Sequence, residues 1–165
     1  MIARHTVAHG LFFGLVFVGS LLLIMRLFSP RIWGLSDYPQ RLQRKVPPQT
    51  RREKRMALAL FVPWGAFVLG FPLWSTLALK ARLGGSISWA IAALNILVQM
   101  LVANLGDWLI LDWWIITQLT PHFVVLPGTD KAEYRDFSEH WHGHLRALPL
   151  LVVLCVGLAA IVARP

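Results

Sequence analysis

The sequence predicts an all-α integral membrane protein, built as a four-transmembrane-helix bundle with a cytoplasmic interfacial amphipathic helix before the last span. Of the 165 residues, 56% are hydrophobic, and the mean hydropathy is +0.58. One small soluble core cannot bury that much apolar surface. The apolar residues also form four blocks long enough to cross a bilayer, at about 7–25, 56–79, 87–118 and 145–162. We therefore expect residues 1–165 to form a single membrane domain.

The positive charge of the chain is concentrated beside these spans. The formal net charge is +8, and nine of the sixteen basic residues lie between Arg26 and Arg55. Basic loops of this kind hold topology and contact anionic lipid, and no aromatic stacking platform accompanies the charge, so we expect no nucleic-acid partner. Twelve Lys and Arg residues, counting Arg146 at the start of the fourth span, fall on the side of the loops 26–55 and 119–144, and four on the other side. The positive-inside rule therefore predicts cytoplasmic loops and both termini outside.

The first span, 7–25, begins after a basic start but lacks a small-residue cleavage site, so we expect it to be retained. Gly10, Gly14 and Gly19 are small positions at which another helix can approach closely. His5 and His9 share a face at the start of this span. They indicate either a polar helix end in the headgroup zone or half of a divalent-metal or haem site.

The loop 26–55 is hydrophilic and contains four prolines. Trp33 and Tyr38 are typical of a position at the membrane interface. The end of the loop carries basic residues that suit anionic lipid headgroups, namely Arg51, Arg52, Lys54 and Arg55.

The second span, 56–79, contains Pro63 and Pro72. Each proline frees a backbone carbonyl one turn earlier, so we expect a kinked helix. The kink indicates either irregular packing or a wall of a cavity for a substrate or cofactor, and the sequence leaves both open.

The third apolar block is too long for one perpendicular span. It predicts either one long tilted helix to about Gln118, which we favour, or a chain that breaks near Gly106 and re-enters the membrane. Thr120 and Pro121 end any helix there. Asp107 needs a cation, a metal or a proton as partner at this depth. Asp112 lies about 140° around an α-helix from Asp107, so the two share a site only if the helix distorts.

Asp130 and Glu133 have the spacing of a capping box, which predicts a helix that continues to about His144 before the fourth span. On such a helix, carboxylates and imidazoles three or four residues apart share one face and can reach one ion. Simple solvated polar groups explain the same pattern. The fourth span ends beside Arg164, an expected anchor. The candidate ligand or metal residues are His140, Asp136, His144, Asp107, Asp112 and His122.

Four stretches of the chain resemble segments of a family of small bacterial polytopic membrane proteins to which we attach no activity. They are DYPQRLQRKVPP at 37–48, DWLILDWW at 107–114, TPHFVVLPGT at 120–129 and YRDFSEHWHG at 134–143. The resemblance covers about half of the chain. It implies a multi-pass protein of the bacterial cytoplasmic (inner) membrane and carries over no cofactor or functional residue.

The leading hypothesis is that the cytoplasmic ends of spans three and four bind a metal, a cofactor or the polar end of a hydrophobic molecule. Whether the protein is an enzyme is left open. The main rival is a non-catalytic scaffold or accessory subunit of a larger membrane complex, with a membrane-protein partner or a homo-oligomer. A small proton- or cation-coupled transporter using Asp107 ranks third, because no inverted repeat is visible.

Overall fold

The computed structural model describes residues 1–163, apart from the side chain of Glu139. Regular structure in that part is entirely helical, and it includes four helices long and apolar enough to cross a membrane. These are α1 (Ile2–Leu27), α4 (Arg51–Arg82), α5 (Trp89–Leu119) and α6 (Ser138–Val162), with two short helices, α2 (Pro30–Trp33) and α3 (Gln40–Gln43), between the first two. The four-helix fold is confirmed. Arg164 lies outside the described residues.

The four long helices alternate in direction. His5 at the start of α1 lies 3.0 Å from the carbonyl oxygen of Ser75 near the end of α4. Lys80 in the last turn of α4 donates to the carbonyl of Val162 at the end of α6, over 3.0 Å. We call this the terminal end of the bundle. The opposite end, where α4 begins and α5 ends, is the loop end.

Helices α1 and α5 pack closely because glycines lie at their contact. A Cβ atom on Gly14 would lie 2.7 Å from Cγ1 of Val102, and one on Gly106 would lie 2.7 Å from Cγ2 of Val18. Gly10 also contacts α5, whereas no described residue lies within 4 Å of a Cβ on Gly19. The small positions expected on the first span are therefore used within the chain at Gly10 and Gly14 but not at Gly19.

Helix α4 is longer than the predicted span and runs without interruption through Pro63 and Pro72. Its first turn is fixed by a capping box between Thr50 and Glu53. Arg31 binds Glu53 with two nitrogens, at 2.7 and 3.0 Å. The buried residues of α4 all lie in its terminal half, from Pro72 onward. The kink expected at the prolines stays a prediction.

Helix α5 is one long helix, as favoured from the sequence, but its hydrogen bonding changes partway along. It is α-helical over Trp89–Gly106 and a π-helix over Asp107–Leu119. The Thr120 amide donates to the carbonyl of Ile115, five residues back, over 2.9 Å. Thr120 then adopts a left-handed conformation with φ 41°, which ends the helix.

The amphipathic helix expected over residues 130–144 is not a single helix. The capping box of Asp130 and Glu133 forms, but it opens only a 3₁₀ turn over Lys131–Tyr134. The Asp136 carboxylate then accepts from the amide and the hydroxyl of Ser138, at 3.0 and 2.6 Å. Such a local turn competes with helical hydrogen bonding. His140 and His144 therefore belong to α6 itself, at the loop end of the fourth span.

The loop between α1 and α4 contacts the loop between α5 and α6. Tyr38 is buried, and its hydroxyl donates to the carbonyl of Val124 over 2.7 Å. Its ring packs edge-on against Tyr134, with centroids 5.7 Å apart. Burial raises the pKa of Tyr38, so this hydroxyl remains a donor. An ion pair between Lys45 and Glu133 also joins the loops at their surface.

Candidate functional site

A cavity of about 560 Å³ lies in the loop-end half of the bundle. This volume falls within the range of small-molecule sites in proteins. Its apolar wall comes from α1 and α4, through Phe17, Leu21, Ile24, Met25, Phe61 and Trp64. Its polar lining comes mainly from α5 and α6, with one loop residue, and comprises Asp37, Asn104, Asp107, Asp112, His140 and His144. The cavity therefore joins an apolar wall to a cluster of carboxyl and imidazole groups.

Asp112 is the centre of that cluster. Its Oδ2 atom lies 3.1 Å from Nδ1 of His140 and 2.9 Å from Nε2 of His144. The three side chains are only 11 to 17% exposed. Because a carboxylate oxygen only accepts, each histidine donates a hydrogen bond to it. Asn104 holds His144 from the other side, with its Nδ2 atom 3.1 Å from Nδ1 of the ring.

These contacts define different roles for the two histidines. Both ring nitrogens of His144 are occupied, one by Asp112 and one by Asn104. His140 uses Nδ1 on Asp112, and its Nε2 atom has no hydrogen-bond partner among the described residues. A carboxylate that fixes one nitrogen of an imidazole leaves the other as a positioned proton acceptor or donor. His140 is thus the side chain equipped to exchange a proton with a molecule in the cavity.

The π-helical part of α5 brings Asp107 to the same cavity as Asp112. In a π-helix the repeat is i to i+5, so residues five apart lie nearly above one another. The hydroxyl of Thr117 shows this repeat by donating to the carbonyl of Asp112 over 2.8 Å. The helix is therefore distorted in the way that Asp107 and Asp112 need in order to share a site. Asp107 has no hydrogen bond or ion pair with any described residue, and it adds a further carboxyl group to the lining.

Asp37, in the loop after α2, also lines the cavity. Part of the Asp37 side chain is exposed. The protein around it nevertheless desolvates the carboxyl group and so raises its pKa, and the charge of Asp112 raises it by a smaller amount. A hydrogen bond from Ser36 opposes this shift. Asp37 was not among the predicted site residues, because nothing in its local sequence indicates that it lies beside side chains of α5 and α6.

Trp33 in α2 is a second lining residue that the sequence did not indicate. The structure places it in the cavity wall, and its position at the membrane interface stays a prediction. Its indole Nε1 atom is buried and has no hydrogen-bond partner. A buried donor without an acceptor is unfavourable by about 1 to 3 kcal/mol. A ligand with an acceptor in reach of Trp33 would remove that penalty.

The remaining predicted residues lie elsewhere. Asp136 faces Ser138 and forms an exposed ion pair with Arg41 at 3.4 Å, and it does not line the cavity. His122 is exposed in the 3₁₀ turn His122–Val124 after α5. The basic residues Arg51, Arg52, Lys54 and Arg55 are exposed in the first turns of α4. The structure therefore unites His140, His144, Asp107 and Asp112 and leaves Asp136 and His122 apart.

Within the described part of the chain, no group of three or more His, Cys, Asp or Glu residues is arranged to hold a metal ion. The contacts of Asp112 with His140 and His144 are those of hydrogen-bonded side chains. No protein-family model, curated protein or solved structure matches the chain.

Proposed function

We propose that the protein binds a hydrophobic molecule with a polar end in the loop-end cavity, with that polar end at Asp112, His140 and His144. One observation carries the proposal: a single cavity has an apolar wall on α1 and α4 and a polar cluster on α5 and α6. Ionisable groups within membrane spans are unfavourable unless they are partnered, and they commonly mark functional sites. Here the partnered group is Asp112, and the cavity beside it is large enough for a ligand.

The lining also limits the chemistry of the polar end. Asp37, Asp107 and Asp112 contribute three carboxyl groups, whereas the described lining contains no Lys or Arg. A phosphate or carboxylate placed there would meet like charge without a compensating cation. A hydroxyl, an amine or another hydrogen-bond donor would meet acceptors. His140 is positioned to take a proton from such a group or return one, because Asp112 fixes its ring.

The same proposal includes a location and an orientation. The excess of Lys and Arg on the loops supports a cytoplasmic loop end, with both termini outside. We also propose the bacterial cytoplasmic membrane as its location, which the resemblance of four segments implies. The exposed residues Arg51, Arg52, Lys54 and Arg55 would then contact anionic headgroups of the inner leaflet.

The decisive experiment measures what the protein carries when it is purified in a mild detergent. Organic extracts of the wild type and of the variants Asp112→Asn, His140→Gln and His142→Gln would be compared by mass spectrometry. His142 is the matched control, because it lies on the same helix but is exposed, and its ring bonds the carbonyl of Ser138. We expect a stoichiometric small molecule in the wild type and in His142→Gln, and its loss from the other two variants.

Equal content of that molecule in all four proteins would contradict the proposal. Metal content and the visible absorption spectrum of the same samples would test the divalent-metal and haem hypotheses. A sample without a bound molecule but with a stoichiometric membrane-protein partner would favour the scaffold hypothesis.

A further inference from the structure

A second cavity, of about 440 Å³, lies at the terminal end of the bundle, away from the site already described. Its walls come from the first turns of α1 and the last turn of α4. The side chains that line it include Arg4, His5, His9 and Arg82. No Asp or Glu belongs to its described lining, whose charge is opposite to that of the loop-end cavity.

The neighbours of His5 determine which of its ring nitrogens carries the hydrogen. Nη1 of Arg82 lies 3.4 Å from Nδ1 of His5, and a guanidinium group can only donate. Nδ1 of His5 is therefore the acceptor, and Nε2 carries the hydrogen. That Nε2 atom lies 3.0 Å from the carbonyl oxygen of Ser75, which can only accept. The two contacts agree on a neutral His5 held between α1 and α4.

The hydrogen atoms on His9 follow from the same network. Gln99 donates from Nε2 to the carbonyl of Asn95 and to the hydroxyl of Ser75, each over 3.1 Å. The Ser75 hydroxyl thus accepts from Gln99, and its own hydrogen is directed to Nδ1 of His9, 2.8 Å away. Nδ1 of His9 accepts that hydrogen, so the hydrogen of a neutral His9 ring is on Nε2. Among the described residues this Nε2 donor has no partner.

The two arginines add further unsatisfied donors. Arg4 is exposed, Arg82 donates to the His5 ring, and among the described side chains neither forms an ion pair with an Asp or a Glu. The cavity thus presents two guanidinium groups and the Nε2 donor of His9. Groups of this kind are complementary to an oxyanion, and Arg binds phosphate with two parallel hydrogen bonds.

We propose that this cavity binds the phosphate group of a phosphate ester, held by Arg4, Arg82 and His9. Donors converge from three side chains on two helices, and a phosphate offers three oxygens to them, one more than a carboxylate. The phosphate belongs either to the headgroup of an anionic lipid or to a soluble ester. The site is independent of the loop-end cavity, because it shares no lining residue with it.

The test uses the full chain purified in detergent and two probes that separate these sources. Glycerol 3-phosphate represents the soluble ester, and phosphatidylglycerol represents the lipid. Binding is measured by native mass spectrometry and by the shift of the thermal unfolding midpoint. Loss of one charged hydrogen-bonding group should weaken binding by about tenfold or more. Arg4→Gln and Arg82→Gln should show this loss, and the exposed Arg52→Gln at the loop end is the matched control.

Binding of phosphatidylglycerol alone, with the expected loss in both variants, supports a lipid site. Binding of glycerol 3-phosphate with the same loss supports a site for a soluble ester. The proposal is overturned if the wild type binds neither probe, or if Arg4→Gln binds them as tightly as Arg52→Gln. Arg4 makes no hydrogen bond or ion pair with described residues, so Arg4→Gln keeps the test valid even if Arg82→Gln fails to fold.

Discussion

Asp107 and Asp112 lie one π-turn apart on α5 and line the same cavity. Only Asp112 is satisfied, by the two histidines of α6. Under the proposed function the two carboxyl groups have different roles: Asp112 organises the site, and Asp107 is available to a ligand. This division leads to different expectations for their replacement.

Asp112→Asn should lower both the stability of the protein and its ligand content. The substitution removes the charge that two histidines share, and one hydrogen bond to a charged group contributes about 1.5 to 3 kcal/mol. We expect a loss of about 2 kcal/mol in the free energy of unfolding in detergent. Asp107→Asn should leave stability unchanged or higher, because it removes a like charge near Asp112, but it should weaken ligand binding. Equal effects of the two substitutions on stability would contradict the division of roles.

The stability of the protein should depend on pH through Asp37. The raised pKa of Asp37 means that the folded protein holds this proton more tightly than the unfolded chain does. Its stabilising contribution is complete below about pH 4, the unfolded value, and is lost as the pH rises through the folded pKa. As the pH rises through this range, the thermal unfolding midpoint of Asp37→Asn should therefore fall less than that of the wild type.

Asp136 provides the control of opposite sign for that measurement. Hydrogen bonds from the hydroxyl and amide of Ser138 lower the pKa of Asp136. Its contribution is present above the unfolded pKa and is lost as the pH falls through the folded one. As the pH falls in the acidic range, the unfolding midpoint of Asp136→Asn should accordingly fall less than that of the wild type. A common pH profile for Asp37→Asn and Asp136→Asn would count against these assignments.

Trp33→Phe should not lower the stability of the ligand-free protein, because it deletes a buried N–H group that has no partner. It should weaken ligand binding if the ligand accepts from that group. Trp108→Phe is a matched control, since its Nε1 atom is also buried without a partner but Trp108 does not line the cavity. The two variants would be compared by thermal unfolding and by retained ligand, and equal retention would refute a role for the Trp33 donor.

Gly14→Val should destabilise the bundle, whereas Gly19→Val should not. A Cβ atom on Gly14 would lie 2.7 Å from Val102, and such overpacking costs about 1 to 3 kcal/mol. A Cβ atom on Gly19 meets nothing within 4 Å, so we expect a change within about 0.5 kcal/mol. The measurement is the free energy of unfolding in detergent. Similar losses at both positions would show that α1 packs against α5 differently.

The spans were predictable because hydropathy over about 20 residues is a strong signal in a membrane protein. The helical spacing of His140 and His144 was also readable, and the structure places both in the cavity lining. The shared position of Asp107 and Asp112 in one cavity was not predictable, because α-helical geometry separates them by about 140°. A change from α- to π-helical bonding within an apolar run leaves no periodic pattern in the sequence.

The exclusion of Asp136 and His122 has a local cause that the pattern could not show. The Asp136 carboxylate accepts a hydrogen bond from the amide of Ser138, two residues later, and so forms a separate turn just before α6 begins. His122 follows Thr120, whose left-handed conformation redirects the chain. Asp37 and Trp33 join the cavity only through tertiary packing of the loop after α1, for which hydropathy and spacing carry no information.

The loop-end half of α4 contains no buried residue, although Phe61 and Trp64 in that half form part of the cavity wall. The loops beneath the cavity, by contrast, are joined by Tyr38 and Val124. In a bilayer the α4 side of the cavity would face acyl chains, because α4 is long and apolar enough to cross a membrane. For a hydrophobic ligand that passes beside α4, occupancy is governed by its mole fraction in the bilayer, and a dissociation constant expressed per volume of aqueous buffer would vary with the amount of lipid in the assay.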